Sequence, residues 1–144
     1  MSMQIKKEII INVASSKVWK IFSQIEKWPE YCDCIKKAYW TSPKKWSLNS
    51  TFVQIIKIGA IKRVSYPRII KIKKGKYVTW TGTGSLVQGV HTLIFEKINN
   101  KKTKVVNKEY FKGILAPIVF PFIKSKFEEY FRQFLDGLKI ESEK

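Results

Sequence analysis

Pro121-Phe-Ile-Lys-Ser-Lys-Phe-Glu-Glu-Tyr-Phe-Arg-Gln-Phe-Leu-Asp-Gly-Leu-Lys-Ile140 repeats its apolar side chains at intervals of three and four residues. Ile123, Phe127, Tyr130, Phe131, Phe134, Leu135 and Leu138 share one side of a helix. Lys124, Glu128, Arg132, Gln133, Asp136 and Lys139 sit largely between them. The spacing predicts a helix over 121–140, about 30 Å long, with Pro121 in its first turn. So thick a stripe of rings needs a cover, and the cover is expected from what precedes it.

What precedes it reads as strands. From Cys34 to Lys112 no helical period stands out, and β-branched and aromatic runs alternate with Lys, Gly, Asn and Pro. Strands are expected at 34–40, 50–58, 61–71, 76–84, 87–98 and 103–112. The turns between them include Ser42-Pro43-Lys44, Ile58-Gly59-Ala60, Lys73-Lys74-Gly75 and Asn99-Asn100-Lys101. Connections this short make neighbouring strands antiparallel. An earlier strand, 3–12, carries Ile5, Ile9 and Ile11 on one face. Ser15 or Ser16 then caps a helix marked by Val18, Ile21, Phe22 and Ile25, and Trp28-Pro29-Glu30-Tyr31 opens a second short one. The expected fold is α+β. A seven-stranded curved antiparallel sheet wraps the long C-terminal helix, two short helices follow the first strand, and residues 1–144 form a single domain. A twisted sheet cannot touch one helix along its whole face, so room for a cavity is expected between them.

Composition narrows the partners. The chain has 144 residues, 44% hydrophobic and 14% aromatic, which is ample for a core and makes disorder a poor reading. Its net charge is +17, with three arginines (Arg63, Arg68, Arg132) among 28 basic residues. Lysine without an arginine-rich stripe argues against specific nucleic-acid recognition. It leaves weak, salt-dependent association with nucleic acid or anionic membrane as a minor reading. The longest near-apolar run, Ile114 to Ile123, holds two prolines and is too short to span a bilayer. Cys32 and Cys34 are too close for a good disulfide and lack the companions of a metal site, so a cytoplasmic protein with reduced thiols, no metal and no cofactor is expected. Gly82-Thr83-Gly84-Ser85 is not followed by a helix and is a poor phosphate loop.

Strand alternation selects the candidate site. In 103–112, Lys108 and Lys112 claim the solvent face, which turns Val105, Asn107, Glu109 and Phe111 inward. In 87–98 the matching face carries Gly89, His91, Leu93 and Phe95, and His91 is the sole histidine. In 76–84, Thr79, Thr81 and Thr83 read as the solvated face, which puts Trp80 inside. A ligand-binding wall of Trp80, His91, Asn107, Glu109 and Phe111 results, closed by Phe127 and Phe131 from the helix. Trp28 and Tyr31 either pack the small helices or rim an entrance. His91 and Glu109 are the candidate catalytic pair.

These segments resemble the START-like superfamily, whose helix-grip fold is that of the birch-pollen allergen. Within it, the likeness is to the polyketide cyclase/dehydrase and lipid-transport-like proteins. The likeness is carried by Ile11 to Trp19, Trp28-Pro29-Glu30-Tyr31, Trp80, Gly89 to Phe95, Asn107 to Gly113 and the closing helix to Leu138. It implies a cavity between sheet and helix for a lipid, hormone, polyketide or quinone-like molecule. It places His91 and Glu109 inside the fold without giving them a role. The expected function is binding, transport or sequestration of a small hydrophobic or aromatic ligand. The alternative is a cyclase or aromatase using His91 and Glu109 in acid–base roles. Oligomeric state, monomer or dimer, is left open.

Overall fold

A computed structural model of the protein describes residues 3–82, 84 and 86–144. In chain order the elements are β1 (Gln4–Ile11), α1 (Ser15–Phe22), a 3₁₀ turn (Ile25–Lys27), α2 (Trp28–Tyr31), β2 (Ile35–Trp40), β3 (Phe52–Ile58) and β4 (Ile61–Ser65). There follow β5 (Arg68–Lys73), β6 (Tyr77–Thr81), β7 (Gln88–Asn99), β8 (Lys102–Lys112) and α3 (Ala116–Glu143). Eight strands are described, one more than expected. They form a five-stranded sheet in the order β1-β8-β7-β6-β5 and a three-stranded sheet in the order β2-β3-β4, every pair antiparallel.

The difference comes from one residue. The stretch expected as a single strand over 61–71 breaks at Pro67, which has no N–H to give a ladder. Before the break β4 pairs with β3, and after it β5 pairs with β6. The sheets stay stitched at this corner, where Phe52 N donates to Pro67 O at 3.2 Å and Ile69 N to Ser50 O at 2.9 Å.

Helix α3 begins five residues earlier than expected. Pro117, not Pro121, occupies its first turn, and Pro121 lies within the helix. Pro121 cannot donate to the Pro117 carbonyl, but both prolines are exposed, where water can serve instead. The 28-residue helix is about 40 Å long. The expected stripe is its buried side, with Phe127, Tyr130, Phe131, Phe134, Leu135 and Leu138 in the core. Gly137 lets α2 approach, since a Cβ there would lie 1.8 Å from the Tyr31 carbonyl oxygen. Helix α1 starts after Ala14 with no side-chain cap, so neither Ser15 nor Ser16 plays the expected part.

Rings fill the inner half of the space beneath the sheets. Trp28 is 1% exposed and packs on Phe22, Phe52, Trp80 and Phe134, with centroids 5.5 to 6.2 Å apart. Trp19, Trp46 and Phe95 extend the cluster around Phe22. Open volume is therefore pushed toward the other end of α3. No described helix is long and apolar enough to cross a membrane.

Candidate functional site

Strand alternation builds the site. Gln54, Ile56 and Ile58 take alternate positions along β3, and Ile61, Arg63 and Ser65 do so along β4. Trp80 on β6 lies opposite His91 on β7, and His91 lies opposite Glu109 on β8. Phe127 and Tyr130 close the space from α3. Gln54, Ile56, Arg63, Ser65, Trp80, Gly89, His91, Glu109, Phe127 and Tyr130 surround a chamber of about 40 Å³, room for water-sized groups only. Ile56, Arg63 and Phe127 also border an apolar vestibule of about 210 Å³, whose remaining walls are Ile58, Ile61, Val87, Val119 and Ile123. The chamber's inner end, at Trp28, Leu93, Asn107 and Phe134, narrows to about 10 Å³.

The hydrogen bonds fix which atoms give and which accept. His91 Nε2 donates to Asn107 Oδ1, so the neutral ring presents a bare Nδ1 4.0 Å from Glu109 Oε1. Phe131 stacks on the imidazole at 5.0 Å with an 11° tilt, and Trp80 lies against it at 4.8 Å. Burial lowers His91 to about 4, against the opposing Asn107 bond. Burial likewise pushes Glu109 up to about 7, against the pull of the Arg63 guanidinium. At neutral pH the imidazole is thus an acceptor, and Glu109 is poised to hold or release a proton. Gln54 Nε2 donates to the Tyr130 oxygen at 2.8 Å. Burial, helped by Cys32 and Glu109, holds that phenol well above its usual range, so Tyr130 keeps a proton to give.

Gly89 makes the slot for Glu109. A Cβ there would fall 1.9 Å from Glu109 Oε2, while β7 and β8 keep unbroken register through Gly89, which lies opposite Phe111. The glycine thus serves close approach of a carboxyl and is not a bulge. Gly89→Ala should move the flexible Glu109 side chain toward solvent and leave the fold intact. The expected result is a small change in Tm and a Glu109 titration midpoint shifted from about 7 back toward 4.5, followed by carboxyl-carbon NMR.

Trp80, His91 and Glu109 line the chamber from the strands and Phe127 from α3, and Asn107 lines its inner end. Phe131 lies behind His91, and Phe111 packs on Phe120 and Phe127, so both support the wall. Trp28 is interior, its Nε1 donating to Phe22 O, and rims no entrance. Tyr31 packs on Phe134, and its hydroxyl is enclosed without a hydrogen-bond partner among the described residues. Thr79, expected to be solvated, is 9% exposed and bonds Thr92 across the convex face. Thr83 and Ser85 lie outside the described residues. Gln54, Arg63, Ser65 and Tyr130 were not foreseen. The available signal was a lone glutamine inside Phe52-Val-Gln-Ile-Ile56 and one of three arginines. Cys32 and Cys34 are buried free thiols, and burial pushes Cys32 up to about 12.

The family model described as polyketide cyclase/dehydrase and lipid transport matches residues 2–143. Among curated proteins no relative matches the sequence. Solved structures share the fold at low identity. The Zhui aromatase/cyclase from a Streptomyces species superimposes with a TM-score of 0.83 at 9% identity, covering 99% of this chain and 94% of that one. A START superfamily protein from Mycobacterium smegmatis gives 0.81 at 13% identity, covering 97% of each chain. Norcoclaurine synthase from Thalictrum flavum, in complex with dopamine and hydroxybenzaldehyde, gives 0.74 at 10% identity, covering 98% of this chain and 86% of that one.

Proposed function

The chain belongs to the polyketide cyclase/dehydrase and lipid transport family, and from that premise we propose that it binds a small apolar or aromatic molecule carrying an oxygen function. The ring occupies the vestibule and the oxygen reaches the chamber. One observation carries the reading: an apolar vestibule shares the walls Ile56, Arg63 and Phe127 with a chamber whose polar atoms have fixed directions, Tyr130 giving a proton and His91 Nδ1 accepting one. Area removed from water supplies affinity, and the two fixed groups orient the polar end. At about 210 Å³ the vestibule suits a modest ligand, below the usual range for drug-sized molecules. The fold relative holding dopamine and hydroxybenzaldehyde holds molecules of this class.

Native mass spectrometry of gently purified protein identifies any retained molecule, and naphthol serves as a defined probe. Phe127 borders both vestibule and chamber, so Phe127→Ala should weaken naphthol binding about tenfold. Tyr130→Phe should weaken it several-fold by removing the hydroxyl donor. Equal affinity in all three proteins by titration calorimetry would remove the proposed site.

The pairing of His91 with Glu109 supports a second reading, acid–base catalysis of the cyclase type. A carboxyl that exchanges its proton near pH 7, beside a neutral imidazole, suits enolisation of a β-dicarbonyl compound. Deuterium uptake into benzoylacetone should then exceed the buffer rate and fall about a hundredfold in Glu109→Gln, with naphthol affinity largely kept. An uptake rate equal to buffer leaves the binding reading alone.

A further inference from the structure

Within the run Ile114 to Ile123, Ala116 and Phe120 join the core, while Ile114, Ile118 and Phe122 point away from it. Ile114 is 78% exposed, Ile118 65% and Phe122 76%, and Leu86 across from them is 55% exposed. The two segments are tied, with Leu115 N donating to Leu86 O at 3.0 Å. Single exposed apolar residues are ordinary, but four that crowd one end of the molecule mark an interaction surface. This end is the vestibule mouth. Val87 follows Leu86, and Val119 and Ile123 alternate with Ile118 and Phe122, so the same segments present apolar side chains inward to the vestibule and outward to solvent.

Charge identifies the occupant. The chain has 11 acidic residues, yet none falls in 57–68, 86–95 or 112–127, the three segments that carry the vestibule walls and the exposed tips. Those segments carry Lys57, Lys62, Arg63, Arg68, Lys112, Lys124 and Lys126. Lys112, Lys124 and Lys126 are exposed beside the apolar tips. A second copy of this face would bring like charges together, and a net +17 opposes self-association. Protruding apolar tips set among lysines, with no carboxylate between, match an anionic lipid surface, where rings enter the headgroup boundary and ammonium groups meet phosphate.

We propose that Leu86, Ile114, Ile118 and Phe122, flanked by Lys112, Lys124 and Lys126, form a docking face for an anionic bilayer, with the vestibule mouth against the lipid. A ligand partitioned in the membrane then enters without crossing bulk water. This differs from diffuse attraction by lysine, which needs no apolar tip.

Flotation with phosphatidylcholine vesicles, alone or mixed equally with phosphatidylglycerol, tests it. At physiological salt the protein should float with the mixed vesicles and stay behind with phosphatidylcholine alone. The variant with Ile118→Ser and Phe122→Ser should partition at least tenfold less. The variant with Lys112→Gln, Lys124→Gln and Lys126→Gln should lose the anionic preference by a similar factor. All five side chains are exposed, so Tm should hold in both. An apolar variant that floats like the wild type overturns the proposal and leaves lysine attraction alone. So does a wild type that fails to float, or a dimer that the apolar variant splits.

Discussion

Trp28→Ala is expected to lower unfolding free energy by about 3–5 kcal/mol, measured by urea denaturation. The indole is 1% exposed and is walled by Phe22 from α1, Phe52 from β3, Trp80 from β6 and Phe134 from α3. Elements from both sheets and the long helix meet there, so none can close the hole without leaving its other partners. The variant also loses the bond from Nε1 to the Phe22 carbonyl at 2.8 Å. A loss below about 1 kcal/mol would mean that α2 relaxes into the space and that Trp28 is not the keystone of the ring cluster.

Stability against pH should show two opposed effects. Glu109 rises from 4.5 to about 7 on folding. Between those values the folded protein keeps a proton that the unfolded chain has released, so stability falls as pH rises, by about 3 kcal/mol in all. His91 drops from 6.5 to about 4 on folding. Between those values the unfolded chain holds the extra proton, so stability rises with pH by a similar amount. The windows overlap, and in the wild type the pair should nearly cancel from about pH 4.5 to 6.5. Glu109→Gln should uncover a rise from about pH 4 to 6.5, and His91→Gln a fall from about pH 4.5 to 7. Each is read as the difference from the double variant in urea melts. Single-variant curves parallel to the wild type would show that neither group is held in the protonation state its burial implies.

Strand alternation makes the inward direction of His91 and Glu109 legible, because lysines on alternate positions of β8 leave one face for the interior. The sequence leaves Asn107 and Glu109 both open as neighbours of His91, and the β7–β8 register sets 91 opposite 109. The outer wall is not legible, because residues 61–71 read as one strand running through Pro67. With β4 and β5 merged, Arg63 had no assigned direction. Tyr130 was visible only as part of a helical stripe, since periodicity reports which side a ring faces and says nothing of what its hydroxyl meets. The expected start of α3 at Pro121 is late for a plain reason: Pro117 suits a first turn equally well, and the buried Ala116 and Phe120 favour the earlier one. Burial of the inner rings was likewise beyond pattern reading, which could not separate a lined cavity from a filled one.

The pairing of β1 with β8 carries a consequence for synthesis. Gln4 lies opposite Tyr110 and Ile11 opposite Thr103, so the first strand made is completed by the last. On the ribosome, residues 4–11 must wait for the segment near 112 to clear the exit tunnel, and α3 later still. Until then the hairpins from β2 to β7 stand without β8, with the aromatic cluster uncovered by its helix. Closure of so long a loop is slow by its entropy, and nascent chains at this stage expose apolar surface. A net charge of +17 makes chains of this protein repel one another.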